Sequence, residues 1–296
     1  MKILIADDSA TCRLILQNHL SKLGFEVETC EDGLSAWHRL QEDGAPHIAI
    51  LDWEMPGMDG LQICREVRKQ VAGPYVYLLL LTGKNRKQDL LEAFQAGADD
   101  FLSKPLDEDE MEVRLQVGQR ILAWHEQLRI QATRDALTGL WNRGALLDLL
   151  QKELARCCRE KKPVGVAIID LDHFKRINDT YGHLAGDQVL REIGAKMNAS
   201  LRLYDVVGRY GGEEFLVVLP GCDEANMLTL CNRLRDFVAS HPISYDSLMI
   251  PVTASIGVTI AMPEQKLKPD VILRTADLAL YRAKAGGRNR VEIGSA

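Results

Sequence analysis

Strand-like and helix-like segments alternate along residues 1–106, and this alternation is the strongest constraint on how the chain can fold. Short apolar runs are separated by segments with helical spacing, as in Leu61, Cys64 and Val67. The predicted strands are Lys2–Ala6, Phe25–Thr29, His47–Leu51, Tyr75–Leu81 and Asp100–Ser103. Alternating βα units predict an α/β fold with a doubly wound, five-stranded parallel sheet, whose functional site lies at the carboxyl ends of the strands.

Polar side chains occur where these predicted strands end. Asp7 and Asp8 follow the first strand, Asp52 follows the third, Thr82 the fourth and Lys104 the fifth. Carboxylates can hold Mg²⁺, and one of them can act as a nucleophile that forms an aspartyl-phosphate. An ammonium and a hydroxyl can bind the added phosphoryl oxygens. Each residue alone would be an ordinary loop residue, but their joint placement predicts a phosphorylation site.

This set resembles the receiver domain of bacterial response regulators, and the resemblance covers residues 1–107. It implies that Asp52 is the phosphoacceptor and that Asp7, Asp8 and Asp52 bind Mg²⁺. Thr82 would be the switch hydroxyl and Lys104 the contact to the phosphoryl group. A cognate histidine kinase or phosphotransfer protein would then be a partner.

The same resemblance gives roles to residues around this site. Phe101 occupies the position of the aromatic side chain that rotates on activation, and Lys104-Pro105 should be a cis peptide, a feature of X-Pro bonds. Glu54 and Lys84 lie two residues after the phosphoacceptor and the switch hydroxyl. They would either flank the acyl phosphate or form a solvated surface pair.

A second constraint lies in the pentapeptide Gly211-Gly212-Glu213-Glu214-Phe215. Strand-like runs flank it, Val206–Tyr210 and Phe215–Leu219, so we expect a tight β-hairpin through Gly-Gly. A type I′ turn suits this pair because it needs positive φ at both central residues. Upstream, a buried-strand pattern, Val164–Ile169, ends at Asp170. Asp170 alone would be a solvated strand end, but acids on both segments predict a Mg²⁺ site for a polyphosphate.

Residues 135–296 resemble a GGDEF domain, the diguanylate cyclase family. Four further segments fit its motifs, namely Asp135–Arg143, Asp170–Asp187, Ala254–Val258 and Ala276–Lys284. The pentapeptide differs from the Gly-Gly-Asp-Glu-Phe motif that gives the family its name only at Glu213, which replaces Asp and keeps the carboxylate. The resemblance implies an α+β fold related to nucleotidyl cyclase palms. It also implies that two GTP molecules, held by two domains that meet face to face, become cyclic di-GMP and two pyrophosphates.

The resemblance also implies which residues carry that reaction. Asp170, Glu213 and the Leu171 carbonyl would hold Mg²⁺, with Mn²⁺ as the alternative ion. Glu214 would support the metal or the hydroxyl that loses its proton, and Lys175 would be a further catalytic group.

The GTP contacts implied by the resemblance fall into three groups. They are Phe174, Lys175 and Gly212 near the phosphates, Asn178 and Asp187 at the guanine, and Lys284 and Arg288 at the terminal phosphates. A carboxylate accepts from guanine N1–H and the N2 amino group, which adenine does not present, so Asp187 favours GTP over ATP. Asp172 would point to the same side as Asp170 if the strand persists.

The segment Arg202-Leu203-Tyr204-Asp205 ends six residues before Gly211. At this distance from the hairpin it resembles the RxxD inhibitory site of the family. The resemblance implies that Arg202 and Asp205 bind cyclic di-GMP and that the product inhibits the enzyme.

Residues 108–134 lack proline and contain one glycine, Gly118. The 4-3-4 spacing of Val117, Ile121, Trp124 and Leu128 predicts a helical connector that pairs with its twin as a parallel coiled coil, giving a homodimer. The alternative is a last receiver helix whose apolar stripe packs on its own domain. Gly118 costs roughly 1 kcal/mol relative to Ala and is a candidate hinge.

Charge and composition exclude several classes of protein. Residues 1–110 hold 20 Asp and Glu against 11 Lys and Arg, and the remainder holds 22 against 25, so neither half has the basic patch of a nucleic-acid binder. No apolar run approaches the roughly 20 residues of a membrane span, and the early acids Asp7 and Asp8 argue against a signal peptide. Seven cysteines without a Cys-x-x-Cys pair indicate reduced thiols. We expect a bacterial cytoplasmic protein without nucleic-acid or membrane partners.

Three functions are compatible with these features. The first is a phosphorylation-activated diguanylate cyclase. The second is a degenerate GGDEF module that senses nucleotide without turnover, and the third is an interaction protein controlled by its receiver. The signature acids and glycines are all present, which favours the enzyme.

Overall fold

The computed structural model describes residues 1–70, 73–83, 87–265 and 268–295. The chain forms two compact units, Met1–Arg129 and Ile130–Ala296. The predicted boundaries of 1–107, 108–134 and 135–296 stay predictions. None of the helices in the described ranges is long and apolar enough to cross a membrane.

The first unit alternates strands and helices as predicted. Its elements are β1 Lys2–Ala6, α1 Ala10–Lys22, β2 Glu26–Cys30, α2 Gly33–Leu40, β3 Ile48–Asp52, α3 Gly60–Lys69, β4 Tyr77–Thr82, α4 Lys87–Ala96, β5 Asp100–Ser103 and α5 Glu108–Thr133, which continues into the second unit. The strands are all parallel, in the order β2-β1-β3-β4-β5. The doubly wound five-stranded sheet is confirmed.

The sheet of the first unit is covered on both faces, which explains why its three inner strands, β1, β3 and β4, are apolar. Ile3 and Ile5 pack on the side of α1 and α5, whereas Leu4 and Ala6 pack on the side of α2, α3 and α4. Because all strands run in one direction, their carboxyl ends, with the polar residues that follow, lie along one edge.

Helix α5 packs on the first unit as far as His125, whose ring stacks on Tyr75, but some of its apolar side chains face outward. Met111, Leu115 and Gly118 are buried against this unit, whereas the side chains of Trp124 and Leu128 are 64% and 62% exposed. The alternative of a helix packed on its own domain is therefore correct as far as His125, although Trp124 is exposed. The helical connector is confirmed, and its pairing with a second copy stays a prediction.

The second unit has an α+β fold. After the end of α5 come α6 Arg143–Glu160, β6 Val164–Leu171, α7 Phe174–Tyr181, α8 His183–Ala199, β7 Val206–Gly211, β8 Glu214–Pro220, α9 Glu224–Ser240, β9 Ile243–Tyr245, β10 Leu248–Ile250, β11 Ala254–Ala261, a 3₁₀ turn Pro263–Gln265, α10 Pro269–Ala285 and β12 Val291–Gly294. The main sheet has the order β12-β11-β6-β8-β7, and β9 pairs with β10 apart from it.

The central strand β6 is buried along its whole length because helices cover both faces of the sheet. Val166 and Ile168 pack towards α6 and α10, whereas Ala167 and Ile169 pack towards α8 and α9. Neighbouring strands run antiparallel to β6, so the end of β6 lies beside the β7–β8 hairpin.

The hairpin is confirmed, but its predicted turn is wrong by one residue. Gly211 pairs with Glu214, so Gly212 and Glu213 are the central residues of the turn. Of these two, only Gly212 has positive φ, at +52°. One positive φ at the first central position is the pattern of a type II′ turn. The cause is a register shift between Arg209 and Gly211, which extends β7 through the first glycine.

The structure also gives Gly118 a packing role, which a substitution can test. A Cβ on Gly118 would lie 2.6 Å from Cδ1 of the fully buried Tyr77 ring. If Gly118 were only a weak point of the helix, Gly118→Ala would stabilise it by about 1 kcal/mol. We expect instead a net destabilisation of about 1–3 kcal/mol, because the ring cannot withdraw from a filled core.

Native-state hydrogen exchange of the β4 amides would measure this change in the first unit by itself. Gly144→Ala, in α6 of the second unit, is the control for a helical glycine with free space, since a Cβ there meets nothing closer than 3.5 Å. Exchange of the α6 amides should show that it is tolerated. A gain in protection of the β4 amides for Gly118→Ala would contradict the packing role.

Candidate functional site

The carboxyl edge of the first sheet brings three acids and one lysine together. The Lys104 Nζ lies 2.9 Å from Asp7 Oδ2 and 2.8 Å from Asp52 Oδ2. Asp7 is fully buried, Asp52 is nearly so, and Asp8 is exposed. One ligand oxygen from each of the three acids lies within 4.8 Å of the others. Such a set of hard oxygen ligands fits Mg²⁺.

A cleft of about 430 Å³ opens over this cluster. It is lined by Asp8, Asp52, Trp53, Glu54, Thr82, Gly83 and Lys104. Thr82 is buried, and Phe101 is partly buried with its ring edge-on to Phe94. The predicted cis peptide Lys104-Pro105 is confirmed. Lys84 lies outside the described residues.

The electrostatics of this cluster reflect crowded acids around one cation. Burial raises the pKa of Asp52, Lys104 opposes the rise, and the charge of Asp7 adds to it. Burial disfavours the Lys104 ammonium, but hydrogen bonds to Asp52 and Asp7 outweigh it and raise the pKa of Lys104 to about 12. The lysine therefore stays charged, and the cluster keeps excess negative charge that a divalent cation would neutralise.

In the second unit, the end of β6 lies beside the hairpin that carries two further acids. Asp170 is nearly buried, and its Oδ2 lies 2.8 Å from Lys284 Nζ at the end of α10. Glu214 pairs with Asp170 across β6 and β8. The Leu171 N–H donates to the Glu213 carbonyl at 3.4 Å, so the turn lies beside the strand end.

Two of these carboxylates are costly to ionise. Burial raises the pKa of Asp170 although Lys284 opposes the rise. Burial also raises the pKa of Glu214, and the charge of Asp170 adds to it. Asp170, Glu213 and Glu214 offer the oxygen ligands that Mg²⁺ prefers. Within the described residues, however, only Asp7, Asp8 and Asp52 bring three such ligand atoms within 4.8 Å of one another, so the acids of the second unit lie farther apart than those of the first.

The two residues predicted at the guanine lie on consecutive helices. Asn178 is on α7 and Asp187 on α8, and the helices join at Gly182, whose φ is +85°. A Cβ on Gly186 would lie 1.9 Å from Asn178 Oδ1. The Asn178 amide occupies the space that a side chain at position 186 would fill. It therefore lies against the residue that precedes Asp187.

The residues predicted near the phosphates differ in their exposure. Lys175 and Arg288 are exposed, and Arg288 follows α10 in a left-handed conformation with φ of 64°. Phe174 is buried in the core of the unit. Its side chain is therefore not available to a phosphate, and any contact would come from its main chain at the start of α7.

Arg202 and Asp205 border a separate cleft of about 250 Å³. Asp205 Oδ2 accepts from the Arg202 N–H at 2.9 Å, and the Arg202 side chain donates to the Tyr204 hydroxyl at 2.8 Å. Arg233 of α9 lines the same cleft. The sequence did not indicate Arg233, because it lies far along the chain in no recognisable motif.

A second contact that the sequence did not indicate supports the hairpin turn. The Arg209 Nε donates to the Gly212 carbonyl at 2.8 Å, and Arg209 Nη1 lies 3.3 Å from Asp135 Oδ2. Burial opposes ionisation of Asp135, but hydrogen bonds from Thr138 and the charge of Arg209 outweigh it and lower its pKa. The opening motif of the second unit thus holds the turn that carries Glu213.

Comparisons with known proteins agree with this geometry. Residues 132–290 match the family described as diguanylate cyclase, GGDEF domain, and residues 3–116 match the response regulator receiver domain. The predicted order of a receiver domain followed by a GGDEF domain is therefore confirmed.

Two curated relatives cover different parts of the chain. Response regulator PleD from Caulobacter vibrioides is 31% identical over an alignment of 299 positions, which covers 98% of this chain and 65% of PleD. Diguanylate cyclase DgcP from Pseudomonas aeruginosa is 42% identical over 174 residues, which are 58% of this chain and 26% of DgcP. The chain thus spans less than two thirds of the length of either relative.

A solved structure is similar to the second part of the chain. It contains the coiled coil and GGDEF domain of DgcB from Caulobacter crescentus in complex with c-di-GMP, with 32% identity and a TM-score of 0.59. The similarity covers 63% of this chain and 98% of the DgcB chain.

The raised pKa of Glu214 predicts how stability depends on pH. The folded state binds the Glu214 proton more tightly than the unfolded chain, so the free energy of unfolding falls as pH rises from the ordinary pKa through the raised one. Glu214→Gln has no carboxyl group to ionise, so its free energy of unfolding does not fall in this way. Its Tm should exceed that of the wild type at about pH 8, and by a smaller margin at about pH 4. Calorimetry without added metal would measure both margins, and equal margins would show that the buried charge is not the cause.

Proposed function

The chain belongs to the diguanylate cyclase GGDEF-domain family and has a receiver domain before that domain, and on this premise we propose that it is a phosphorylation-activated diguanylate cyclase. It would join two GTP molecules into cyclic di-GMP with release of two pyrophosphates. The observation that carries the proposal is the pairing of Asp170 with Lys284 beside the hairpin acids. This arrangement offers carboxylates for a metal and an ammonium for phosphates at one strand end.

Catalysis would depend on positioning of the two GTP molecules and neutralisation of their phosphate charge, rather than on covalent catalysis by the protein. Asp170, Glu213 and the Leu171 carbonyl would hold Mg²⁺ or Mn²⁺, which supplies positive charge at the phosphates when bound. Lys284 would exchange its ion pair with Asp170 for phosphate oxygens. Glu214, whose pKa burial raises, is suited to accept the proton of the attacking 3′-hydroxyl.

Selection of guanine would rest on Asn178 and Asp187. The Asp187 carboxylate can accept from N1–H and the N2 amino group, and a ligand without these donors would leave it unpaired. The close approach of Asn178 to Gly186 supports a fixed orientation of the amide. Lys175, Arg288 and the main chain at Phe174 and Gly212 would contact the phosphates.

The reaction needs two GTP molecules on two domains, so the active form would be a homodimer. Trp124 and Leu128 support this, because both are exposed and lie four residues apart on α5. A second copy of the same helix would cover them in a parallel coiled coil.

Control would come from Asp52. A histidine kinase or phosphotransfer protein would phosphorylate it, with Asp7, Asp8 and Asp52 holding Mg²⁺. The added phosphoryl group would engage Lys104 and Thr82, and Phe101 would change its packing. All seven cysteines are free thiols, which supports the cytoplasm as the place of this reaction.

A turnover assay on the full chain tests the cyclase and its control together. The samples contain GTP and Mg²⁺, with or without beryllofluoride as a mimic of the phosphoryl group. We expect cyclic di-GMP to form, to rise with the mimic, and not to rise in Asp52→Ala. Trp124→Cys chains should crosslink as dimers under the activating condition.

Each result of this assay decides one part of the proposal. Turnover that ignores the mimic would remove the receiver control and keep the cyclase. GTP binding without product in any sample would favour a nucleotide-sensing module. A mixed dinucleotide made from GTP and ATP would contradict the role of Asp187, and dimeric activity without a Trp124 crosslink would contradict the coiled coil.

We also infer that the cleft at Arg202 and Asp205 binds cyclic di-GMP and inhibits the enzyme. The supporting observation is that Arg233 lines the same cleft and adds a second guanidinium, a group suited to phosphate. Arg202→Ala and Arg233→Ala should each weaken inhibition by about tenfold, the loss of one charged hydrogen bond, with the initial rate unchanged. Rates at increasing concentrations of added cyclic di-GMP would measure this, and unaltered inhibition in Arg202→Ala would refute the site.

A further inference from the structure

Asp172 is a buried carboxylate with a specific set of donors. It follows β6 directly and is 5% exposed. Its oxygens accept from Thr253 Oγ1 at 2.7 Å, from Ser255 Oγ at 2.6 Å and from the main-chain N–H of Asn289 at 3.0 Å. The expectation that Asp172 faces the same side as Asp170 depended on a longer strand, but β6 ends at Leu171. The Asp172 carboxylate is thus engaged by β11 and by the chain after α10.

The segment that Asp172 binds has an unfavourable backbone conformation. Arg288 and Asn289 are consecutive residues with φ of 64° and 44°. Asparagine tolerates this left-handed region better than most residues, but arginine rarely adopts it. The Asn289 N–H donates to Asp172, and the Asn289 carbonyl accepts from Arg235 Nη1 at 3.1 Å. Both main-chain groups of Asn289 are therefore held by side chains from other elements, and strained loops persist where the surroundings determine them in this way.

The end of β6 thus holds two neighbouring positions of the chain around the end of α10. Asp170 binds the Lys284 ammonium within α10, and Asp172 binds the main chain one residue after Arg288. Lys284 is part-buried and directly paired, whereas the Arg288 side chain is exposed. The position of Arg288 therefore depends on its backbone. The Ala283 carbonyl of α10 accepts from the Arg288 N–H at 3.0 Å, and Asp172 holds the next residue, Asn289.

We propose that Asp172 is a positioning residue that completes the hold of α10 on the Arg288 backbone, so that the Arg288 guanidinium meets the terminal phosphates of the bound nucleotide. Asp172 acts through Asn289 and is not itself a metal ligand. This role rests on the proposed function, because it assumes that the site at Asp170 and Lys284 binds GTP. It predicts that loss of Asp172 weakens contacts to the terminal phosphates and leaves the guanine contacts unchanged.

Affinities of the full chain for GTP and GMP separate this role from general loss of structure. GMP has the guanine and the first phosphate but not the terminal phosphates. We expect Asp172→Ala to weaken GTP binding by about tenfold, the scale of one charged hydrogen bond, with little change for GMP. Arg288→Ala should give a similar selective loss. The double variant should lose little more than either single variant, because both changes remove the same contact.

Two further variants keep the test decisive if Asp172→Ala folds poorly. Arg235→Ala removes the hydrogen bond to the Asn289 carbonyl, and the Arg235 side chain is partly exposed. This variant should weaken GTP binding by less than Asp172→Ala does, again with little change for GMP. Asn289→Gly is the matched control. It keeps the main-chain N–H and accepts positive φ without strain, so its GTP affinity should stay near that of the wild type.

Several results would overturn the positioning role. These are an equal loss of GTP and GMP affinity in Asp172→Ala, unchanged GTP affinity in both Asp172→Ala and Arg235→Ala, or losses that add in the double variant. Failure of the proposed function is distinguishable from these results. A wild-type chain that binds GTP but makes no cyclic di-GMP would refute the cyclase activity, and the affinity ratios would still decide the role of Asp172.

Discussion

A lysine ammonium among buried carboxylates at a strand end is the interaction on which both sites depend. Lys104 lies between Asp7 and Asp52 in the first unit, and Lys284 binds Asp170 in the second. A buried carboxylate without a counterion costs more free energy than folding can easily supply. Each lysine offsets part of that cost and leaves excess negative charge. The two sites are therefore stable without a ligand and still attract a cation.

The same interaction makes each lysine a group that a phosphate can recruit. An ammonium paired with a carboxylate gains little from a further acid, but it binds phosphate oxygens strongly once a divalent cation neutralises its partner. Metal and phosphate would therefore support each other at Asp52 and at Asp170. Burial raises the pKa of both carboxylates, which means that their ionised forms are unfavourable. A bound divalent cation would stabilise both ionised forms. The proposed phosphoryl switch and the proposed nucleotide site therefore use the same physical principle.

The sequence predicted elements whose signal is local, and it missed contacts between distant residues. All five strands of the first sheet lie within two residues of their predicted bounds. For β1, β3 and β4 the reason is that strands buried on both faces are apolar runs, whereas the edge strand β2 has no buried residue and followed only from the alternation of elements. The hairpin turn was placed one residue early, since a register shift in β7 leaves no mark in composition. Gly118 was interpreted as a weak point of a helix, because nothing near it in sequence indicates Tyr77. The same limit applies to Arg209 and Arg233.

The contacts that the sequence did not indicate hold the candidate site in place. Within the second unit, the Asn142 N–H donates to the Thr133 carbonyl at the end of α5, and the Arg209 N–H donates to the Trp141 carbonyl. Arg209 then holds the Gly212 carbonyl of the turn. A short series of hydrogen bonds thus connects the last residue of the connector helix to the turn that carries Glu213. Because each step is a fixed main-chain or guanidinium contact, the position of the helix end and the geometry of the turn are not independent. A displacement of the end of α5 would therefore reach the turn through these hydrogen bonds.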